Sequence, residues 1–157
     1  MSTTAASRTK RIFLRAKEFA SPPPPFRTGT AGLVLLDERG DFDLEERVQI
    51  SANSLHALIG HGVVDRLNEL ALEGSLGTGA PVMIRPSLVE EARSILYDAD
   101  SQTYGGDWEF VVAREEGDPP TEYCLRVVNR EYQLTLVRIV DVLNRASRHG
   151  AAVWLAI

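Results

Sequence analysis

His61 and Asp65 are the residues whose types and spacing come nearest to a catalytic pair in this sequence. They lie four positions apart, so a helix would place both side chains on one face. In such a pair the carboxylate orients the imidazole, which then acts as a general base. The chain contains no GxSxG turn for a nucleophile, and no HExxH motif or Cys/His knuckle for zinc. A hydrolytic enzyme that uses His61 and Asp65 is therefore one alternative hypothesis.

A second pattern runs from Asp98 to Glu109. Counted from Asp98, the carboxylates of Asp98, Asp100 and Glu109 fall at positions 1, 3 and 12, as they do in a calcium-binding EF-hand loop. Thr103, however, stands where that loop needs a glycine for its sharp turn, and a strand rather than a helix is predicted to follow. We therefore favour no metal site, and a metal-dependent enzyme that uses these carboxylates is a further alternative.

Acidic side chains are concentrated in a predicted helix, in the turn 37–46 and in the loop 115–118. A negative surface of this kind accelerates and orients association with a basic protein partner. The same charges also suit a surface that does no more than keep the protein in solution. The candidate partner-binding residues are Asp65, Glu69, Glu73, Glu115, Glu116 and Asp118, with Trp108 as an aromatic anchor.

Charge, the length of apolar runs and the cysteine content exclude several classes of protein. Residues 1–17 carry five basic and no acidic side chains, whereas the rest of the chain carries 22 acidic and 12 basic ones. Such an acidic body lacks the clustered basic face that binds nucleic acid. No apolar run reaches the roughly 18–20 residues that a membrane-spanning helix needs. The single cysteine, Cys124, cannot form an internal disulfide, which fits a reducing compartment, so we expect a cytoplasmic protein.

The glycine-rich segment 74–79 does not have the order of a phosphate-binding loop. Such loops follow a strand and lead into a helix, whose free N-terminal amides face the anion. Here a predicted helix precedes the segment and a predicted strand follows it. We therefore expect no cofactor.

The first 26 residues differ in composition from the rest of the chain. A basic start precedes a predicted strand at residues 11–19, and residues 22–25 are all proline. Consecutive prolines remove backbone donors and favour a stiff polyproline II connector. We therefore divide the chain into a basic N-terminal arm, residues 1–26, and a single globular α+β domain, residues 27–157. The basic start is either a targeting segment or a flexible arm, and its composition leaves both readings open.

Apolar periodicity predicts three main helices. The first covers residues 54–73 and contains Gly60 and Gly62, where we expect a kink or a break. The second begins after Pro86. The third is capped by Asn129 and ends before Gly150.

Runs of apolar and β-branched residues predict the strands. They lie at residues 11–19, 32–36, 47–51, 81–85, 108–113, 121–128 and 151–157. The resulting order, β-β-β-α-β-α-β-β-α-β, predicts an α+β fold with a mixed sheet of about six to seven strands in one domain.

Small size, acidity and the lack of a complete catalytic set favour a protein-binding module that masks or carries a protein partner, as immunity proteins and secretion chaperones do. We expect a basic protein partner, and a binding protein rather than an enzyme. The other alternative is a structural subunit or a small-ligand-binding domain of a larger assembly. The sequence leaves a homo-oligomer open.

Overall fold

The computed structural model describes residues 9–14, 29–36, 42–102 and 106–157. Within these ranges the chain forms seven strands, four α-helices and one 3-10 helix. In chain order they are β1 (Lys10–Leu14), β2 (Thr30–Leu36), β3 (Phe42–Gln49), α1 (Ala52–Gly60), α2 (Val63–Asn68), β4 (Pro81–Ile84), the 3-10 helix Pro86–Leu88, α3 (Val89–Gln102), β5 (Trp108–Glu115), β6 (Thr121–Val127), α4 (Asn129–His149) and β7 (Ala152–Ala156). The α+β class and the predicted order of elements are confirmed, with the first predicted helix divided in two.

The strands of the described ranges form two sheets. The three-stranded sheet has the order β1-β6-β5 and is mixed, because β1 is parallel to β6 and β5 is antiparallel to it. The four-stranded sheet has the order β3-β2-β7-β4 and is antiparallel throughout. The predicted strands are thus shared between two sheets, and the 21-residue α4, about 31 Å long, connects β6 of one sheet to β7 of the other.

Strand β1 lies within the basic N-terminal arm and pairs with β6, with Ile12 opposite Tyr123. Residues 1–8 and 15–28, which hold the rest of the predicted first strand and the proline run, lie outside the described residues. Strand β3 begins at Phe42, inside the predicted turn 37–46, since apolar and acidic residues alternate there with the period of a strand. Residues 37–41 also lie outside the described ranges.

The predicted helix 54–73 is broken at its glycines. Helix α1 ends at Gly60, and Gly62 has a φ of +76°, in the left-handed region that favours glycine. Helix α2 then ends at Asn68, before the predicted boundary. Asn68 Oδ1 accepts a hydrogen bond from Leu76 N at 2.8 Å, and Asn68 Nδ2 donates to Leu76 O at 3.0 Å. These two bonds hold the following loop against the end of the helix, which the apolar periodicity could not show.

Helix α4 packs against α1 and α3 and against strands β2, β3 and β7. Its large core-facing side chains, at most 1% exposed, are Tyr132, Leu136, Ile139 and Leu143. They belong to the face that the periodicity predicts. Complete burial of one such side chain stabilises a fold by roughly 1.5–3 kcal/mol, so this face contributes much of the core. Gly150, with a φ of +60°, ends the helix as predicted.

The start of α4 differs from the prediction. Asn129 is the buried first residue of the helix rather than its cap, and Val128 holds the cap position without a side-chain bond. Asn53 of α1 instead holds the backbone of Val128 with two side-chain hydrogen bonds. Its Oδ1 accepts from Val128 N at 2.7 Å, and its Nδ2 donates to Val128 O at 3.1 Å. This clasp fixes the first turn of α4, and therefore Tyr132, relative to α1.

Candidate functional site

A cleft lies where the α1–α2 junction, the end of α3, the start of β5 and the first turn of α4 meet. Its volume of about 330 Å³ is at the lower end of the range for small-molecule sites. The side chains that determine its chemistry are His61, Arg66, Gln102, Trp108, Phe110 and Tyr132. We call it the His61 cleft. Residues 103–105, between α3 and β5, lie outside the described residues.

Three aromatic rings surround the imidazole of His61. The imidazole stacks on Tyr132, with ring centroids 4.8 Å apart and planes 7° apart. It lies edge-on to Trp108 at 4.3 Å and to Phe110 at 5.1 Å. Trp108 and Phe110 are two positions apart in β5, so they project from the same face of the strand. The break between α1 and α2 places His61 against that face.

Gly60 permits the close approach of α1 to β5. A Cβ atom at this position would lie 2.7 Å from the ring of Phe110. Any side chain here would displace that ring, because real Cβ atoms do not come so close to other heavy atoms. A glycine inside a helix costs about 1 kcal/mol relative to alanine. The residue that the sequence marks as a helix breaker is therefore also what lets the cleft wall pack.

Nε2 of His61 is buried and makes no hydrogen bond with any residue that the structure describes. The side chain as a whole is half-buried, so Nε2 lies at its covered end. Burial lowers the pKa of His61 from its ordinary value of 6.5, so the imidazole is neutral at pH 7. A buried polar atom without a partner costs roughly 1–3 kcal/mol. Phenylalanine at this position would keep the ring contacts without that cost.

Arg66 is the charged residue of the cleft wall. Its Nη2 donates to Asp98 Oδ2 at 3.0 Å, and both side chains are about half-exposed. No acidic residue is among the described residues that line the cleft. Gln102, at the end of α3, adds an amide that makes no side-chain hydrogen bond within the described ranges. The cleft thus combines aromatic walls with one cation, one amide and one neutral imidazole.

His61 and Asp65 do not form the predicted pair. Helix α1 ends at Gly60, so His61 lies in the junction between the two helices, and Asp65 is exposed in the first turn of α2. The imidazole makes no hydrogen bond with the residues described, so no described carboxylate orients it. A general base positioned in the manner of a catalytic triad is absent from this part of the chain.

The carboxylates of the predicted calcium loop are distributed over two elements. Asp98 and Asp100 lie on α3, and the first of them is in the ion pair with the cleft arginine. Glu109 lies on β5 and accepts from Arg126 at 2.8 Å and from Arg11 at 3.0 Å, which holds the pKa of Glu109 below its ordinary value. Among the described residues, no three His, Cys, Asp or Glu side chains come together to hold a metal ion.

The acidic candidates for a partner surface occupy two places. Exposed on α2 and the loop after it are Asp65, Glu69 and Glu73, and exposed at the β5–β6 turn are Glu115, Glu116 and Asp118. Trp108 stands beside the α1–α2 junction, at the other end of β5 from that turn and about 23 Å from it along the strand. At the turn, Glu115 accepts from the hydroxyl of Tyr123 at 3.0 Å, which raises the pKa of Tyr123. The predicted residues therefore do not form one continuous surface with Trp108.

Sequence reasoning singles out His61 and Trp108 for different functions and does not connect them. Arg66, Phe110 and Tyr132 are not predicted as site residues. In the sequence Arg66 is an ordinary charged residue of a helix, Phe110 an ordinary strand residue and Tyr132 an ordinary core residue. The one local signal is the pair of glycines on either side of His61, inside an otherwise apolar helical pattern. That signal shows where the helix breaks but not what packs into the break.

Comparisons with known proteins identify no function for the chain. No family model, no curated protein and no solved structure matches it. Within the described ranges, no helix has the length and apolar character needed to cross a membrane.

Proposed function

We propose that this protein binds a small, ring-bearing organic molecule in the His61 cleft. The observation that carries the proposal is the cleft wall, in which three aromatic rings surround a buried imidazole nitrogen without a described partner. A concave site with apolar walls and a few convergent polar groups is the usual form of a small-molecule site. We place the protein in the cytoplasm, where its free cysteine, Cys124, would stay reduced.

The aromatic walls favour a flat ligand. Aromatic pairs that are offset-stacked or edge-to-face gain about 0.5–1.5 kcal/mol beyond the area that they bury. Trp108 is 39% exposed, whereas Trp154 is 1% exposed and lies in a separate cluster with Val34 and Ala156. A ligand ring that packs on Trp108 would cover apolar surface that the fold leaves in water.

The hydrogen bonding of His61 supports the same proposal. Neutral imidazole either donates or accepts at Nε2, depending on the tautomer, so a ligand group of either kind can pair with it. Such a bond would offset the cost of burying Nε2 without a partner. Trp108 is the most exposed of the three rings around the imidazole. Trp108 is therefore the ring that can move with the least loss of packing when a ligand group approaches Nε2.

The protein-partner hypothesis has weaker support from the geometry. Its acidic residues lie at α2 and at the β5–β6 turn, and Trp108 stands near only the first of these groups. An acidic surface also gives no reason for a buried, unpartnered nitrogen at His61. A ring-binding cleft accounts for both His61 and Trp108 with one site.

The two tryptophans allow a direct test of the proposal. Labelling with 5-fluorotryptophan gives one ¹⁹F resonance for Trp108 and one for Trp154, and the variant Trp108→Phe assigns them. Titration with the neutral probes phenylacetamide and 1-naphthylacetamide is expected to shift the Trp108 resonance to saturation and to leave that of Trp154 unchanged. For probes of this size we expect a Kd on the order of 1 mM.

A filled cleft supplies the matched control. Ala99 lines the cleft on α3, and Ser94 is exposed on the same helix. Ala99→Met is expected to abolish the shift of the Trp108 resonance, whereas Ser94→Met retains it. An unchanged Trp154 resonance shows that each variant is folded. If neither probe moves the Trp108 resonance, or if Ala99→Met responds as the wild type does, the proposed function is wrong.

A further inference from the structure

The charge of the cleft wall is opposite to the charge of the whole protein. The chain carries a net charge of −5, yet Arg66 is the ionised residue among the described residues that line the cleft. His61 is neutral at pH 7 because burial lowers its pKa. The ionised wall group that a ligand in this cleft meets is therefore a guanidinium.

Arg66 has donors to spare for a ligand. A guanidinium carries five N–H donors in a planar fork, a geometry that matches a carboxylate. The side chain of Arg66 gives one hydrogen bond, from Nη2 to Asp98, and no other described residue accepts from it. The two side chains are 39% and 50% exposed, and ion pairs with this much exposure are weak. A ligand carboxylate can therefore bind Arg66 without first breaking a buried ion pair.

We infer that the His61 cleft selects aromatic carboxylates. The ring of the ligand packs against Trp108 and Phe110, and its carboxylate accepts hydrogen bonds from Arg66. The inference rests on the proposed function and names the ligand class of the same site. A free aromatic acid fits better than the carboxyl end of a protein chain, because the volume of about 330 Å³ is at the lower end of the range for small molecules.

Two features reduce the preference for an anion. Asp98 lies beside Arg66, and the end of α3 presents backbone carbonyl groups to the same region. Both repel a carboxylate and offset part of the charge of Arg66. We therefore expect a carboxylate to bind about tenfold more tightly than a neutral amide of the same shape, rather than hundreds of times more tightly. A cationic ligand would gain contacts with the aromatic rings but would lie against the guanidinium.

Three probes of one shape separate this inference from the proposed function. Phenylacetate, phenylacetamide and 2-phenylethylamine carry negative, neutral and positive groups at pH 8, where His61 is neutral. The ¹⁹F resonance of Trp108 gives a Kd for each, with phenylacetate expected to bind most tightly and the amine least. If acid and amide bind equally, or if the amine binds best, the inference is overturned and the proposed function stands. If no probe moves the Trp108 resonance, both are wrong.

Variants of the ion pair make the test specific to Arg66. Arg66→Gln is expected to reduce the ratio of acid to amide affinity to about one, because the donor fork is lost. Asp98→Asn is expected to raise the ratio above that of the wild type, because it removes the competing negative charge. If the ion pair had a purely structural role, both substitutions would change the ratio of acid to amide affinity in the same direction. The Trp154 resonance, expected to be unchanged in both variants, reports that each variant is folded, and an unchanged ratio of acid to amide affinity in both would overturn the inference.

Discussion

The imidazole of His61 lies parallel to the phenol ring of Tyr132, with centroids 4.8 Å apart and planes 7° apart. This stack joins the α1–α2 junction to the first turn of α4. It also fixes the imidazole so that Nε2 lies among side chains rather than in water. The orientation of the ring is thus set by packing, while the hydrogen bonding of its nitrogen is left unsatisfied within the described residues. The ring contacts of His61 therefore stabilise the fold while its buried nitrogen destabilises it, and substitutions can separate the two effects.

We expect His61→Phe to raise the stability of the protein. Phenylalanine keeps a ring that can stack on Tyr132 and removes the buried nitrogen that lacks a partner. Removal of that desolvation cost is expected to increase the free energy of unfolding by about 1 kcal/mol. Urea-induced unfolding followed by circular dichroism measures the change.

The variant His61→Ala is the control for this substitution, because it removes both the nitrogen and the ring. Loss of the ring contacts is expected to lower the free energy of unfolding by roughly 1–2 kcal/mol. Under the proposed function, His61→Phe also binds phenylacetamide more weakly than the wild type. A His61→Phe variant that is less stable than the wild type and binds equally well would make His61 an ordinary packing residue.

The stability of the wild type is expected to fall below pH 6.5 in a way that depends on His61. Burial lowers the pKa of this residue in the folded protein from the ordinary 6.5, so between these two values the unfolded chain binds a proton that the folded chain does not. The contribution is fully present above pH 6.5 and is lost as the pH falls toward the lowered pKa. The slope due to one group is at most about 1.4 kcal/mol per pH unit.

The comparison with His61→Phe isolates this residue from every other titrating group. The difference in unfolding free energy between the variant and the wild type is expected to increase from pH 7.5 to pH 5. Urea titrations at four or five pH values across this interval provide the measurement. A constant difference would show that the imidazole is protonated equally in the folded and unfolded chains.

The fold could be predicted where local pattern and tertiary packing agree. The buried face of α4, with Leu136 and Ile139, follows from the 3.6-residue period, and Gly150 marks the end of the helix. Prediction failed where the partner is distant in the chain. Asn53 binds the backbone of Val128 across 75 positions, so no local pattern names it as the residue that fixes α4. Which strands share a sheet is likewise decided by pairing between distant segments.

The candidate site was less accessible to sequence reasoning than the fold. The spacing of His61 and Asp65 indicates a shared helical face only if the helix continues through Gly62, and the φ of +76° at that glycine ends it. The cleft then depends on Trp108 and Tyr132, which come from other elements. Periodicity reports which side of an element is buried but not what it is buried against.

Gly60 and Gly62 are expected to respond differently to alanine. A Cβ at residue 60 would lie 2.7 Å from Phe110, so Gly60→Ala displaces that ring and reduces phenylacetamide affinity by about fivefold or more. Its stability is expected to fall as well, because Gly60 is the last residue of α1 and alanine there gains only part of the roughly 1 kcal/mol that it gains inside a helix. A Cβ at residue 62 meets nothing within 4 Å, but its φ of +76° is strained for alanine, so Gly62→Ala loses roughly 1–2 kcal/mol of stability.

Urea unfolding and the ¹⁹F titration of Trp108 measure both quantities on both variants. The pair separates stability from binding, because Gly62→Ala is expected to bind phenylacetamide as the wild type does. The opposite result, with normal binding in Gly60→Ala and lost binding in Gly62→Ala, would mean that the approach of Phe110 to α1 does not shape the site.

Two asparagine side chains, Asn53 and Asn68, each hold a backbone N–H and C=O of a distant or adjoining segment, and both are expected to stabilise the fold. Asn68→Ala is expected to cost about 1–2 kcal/mol, because Leu76 is buried and its backbone groups lose both partners. Asn53→Ala is expected to cost about 1 kcal/mol, since the bonds to Val128 are exposed to water. Aspartate keeps the acceptor but sets a carboxylate oxygen against the carbonyl oxygen to which the amide donated, so each Asn→Asp variant is expected to lose at least as much stability as its alanine counterpart. Urea unfolding of the four variants at pH 7 tests the order. A smaller loss for aspartate than for alanine at residue 68 would show that the bond from Leu76 N outweighs the contact with the carbonyl of Leu76. No loss in any variant would show that neither asparagine stabilises the fold.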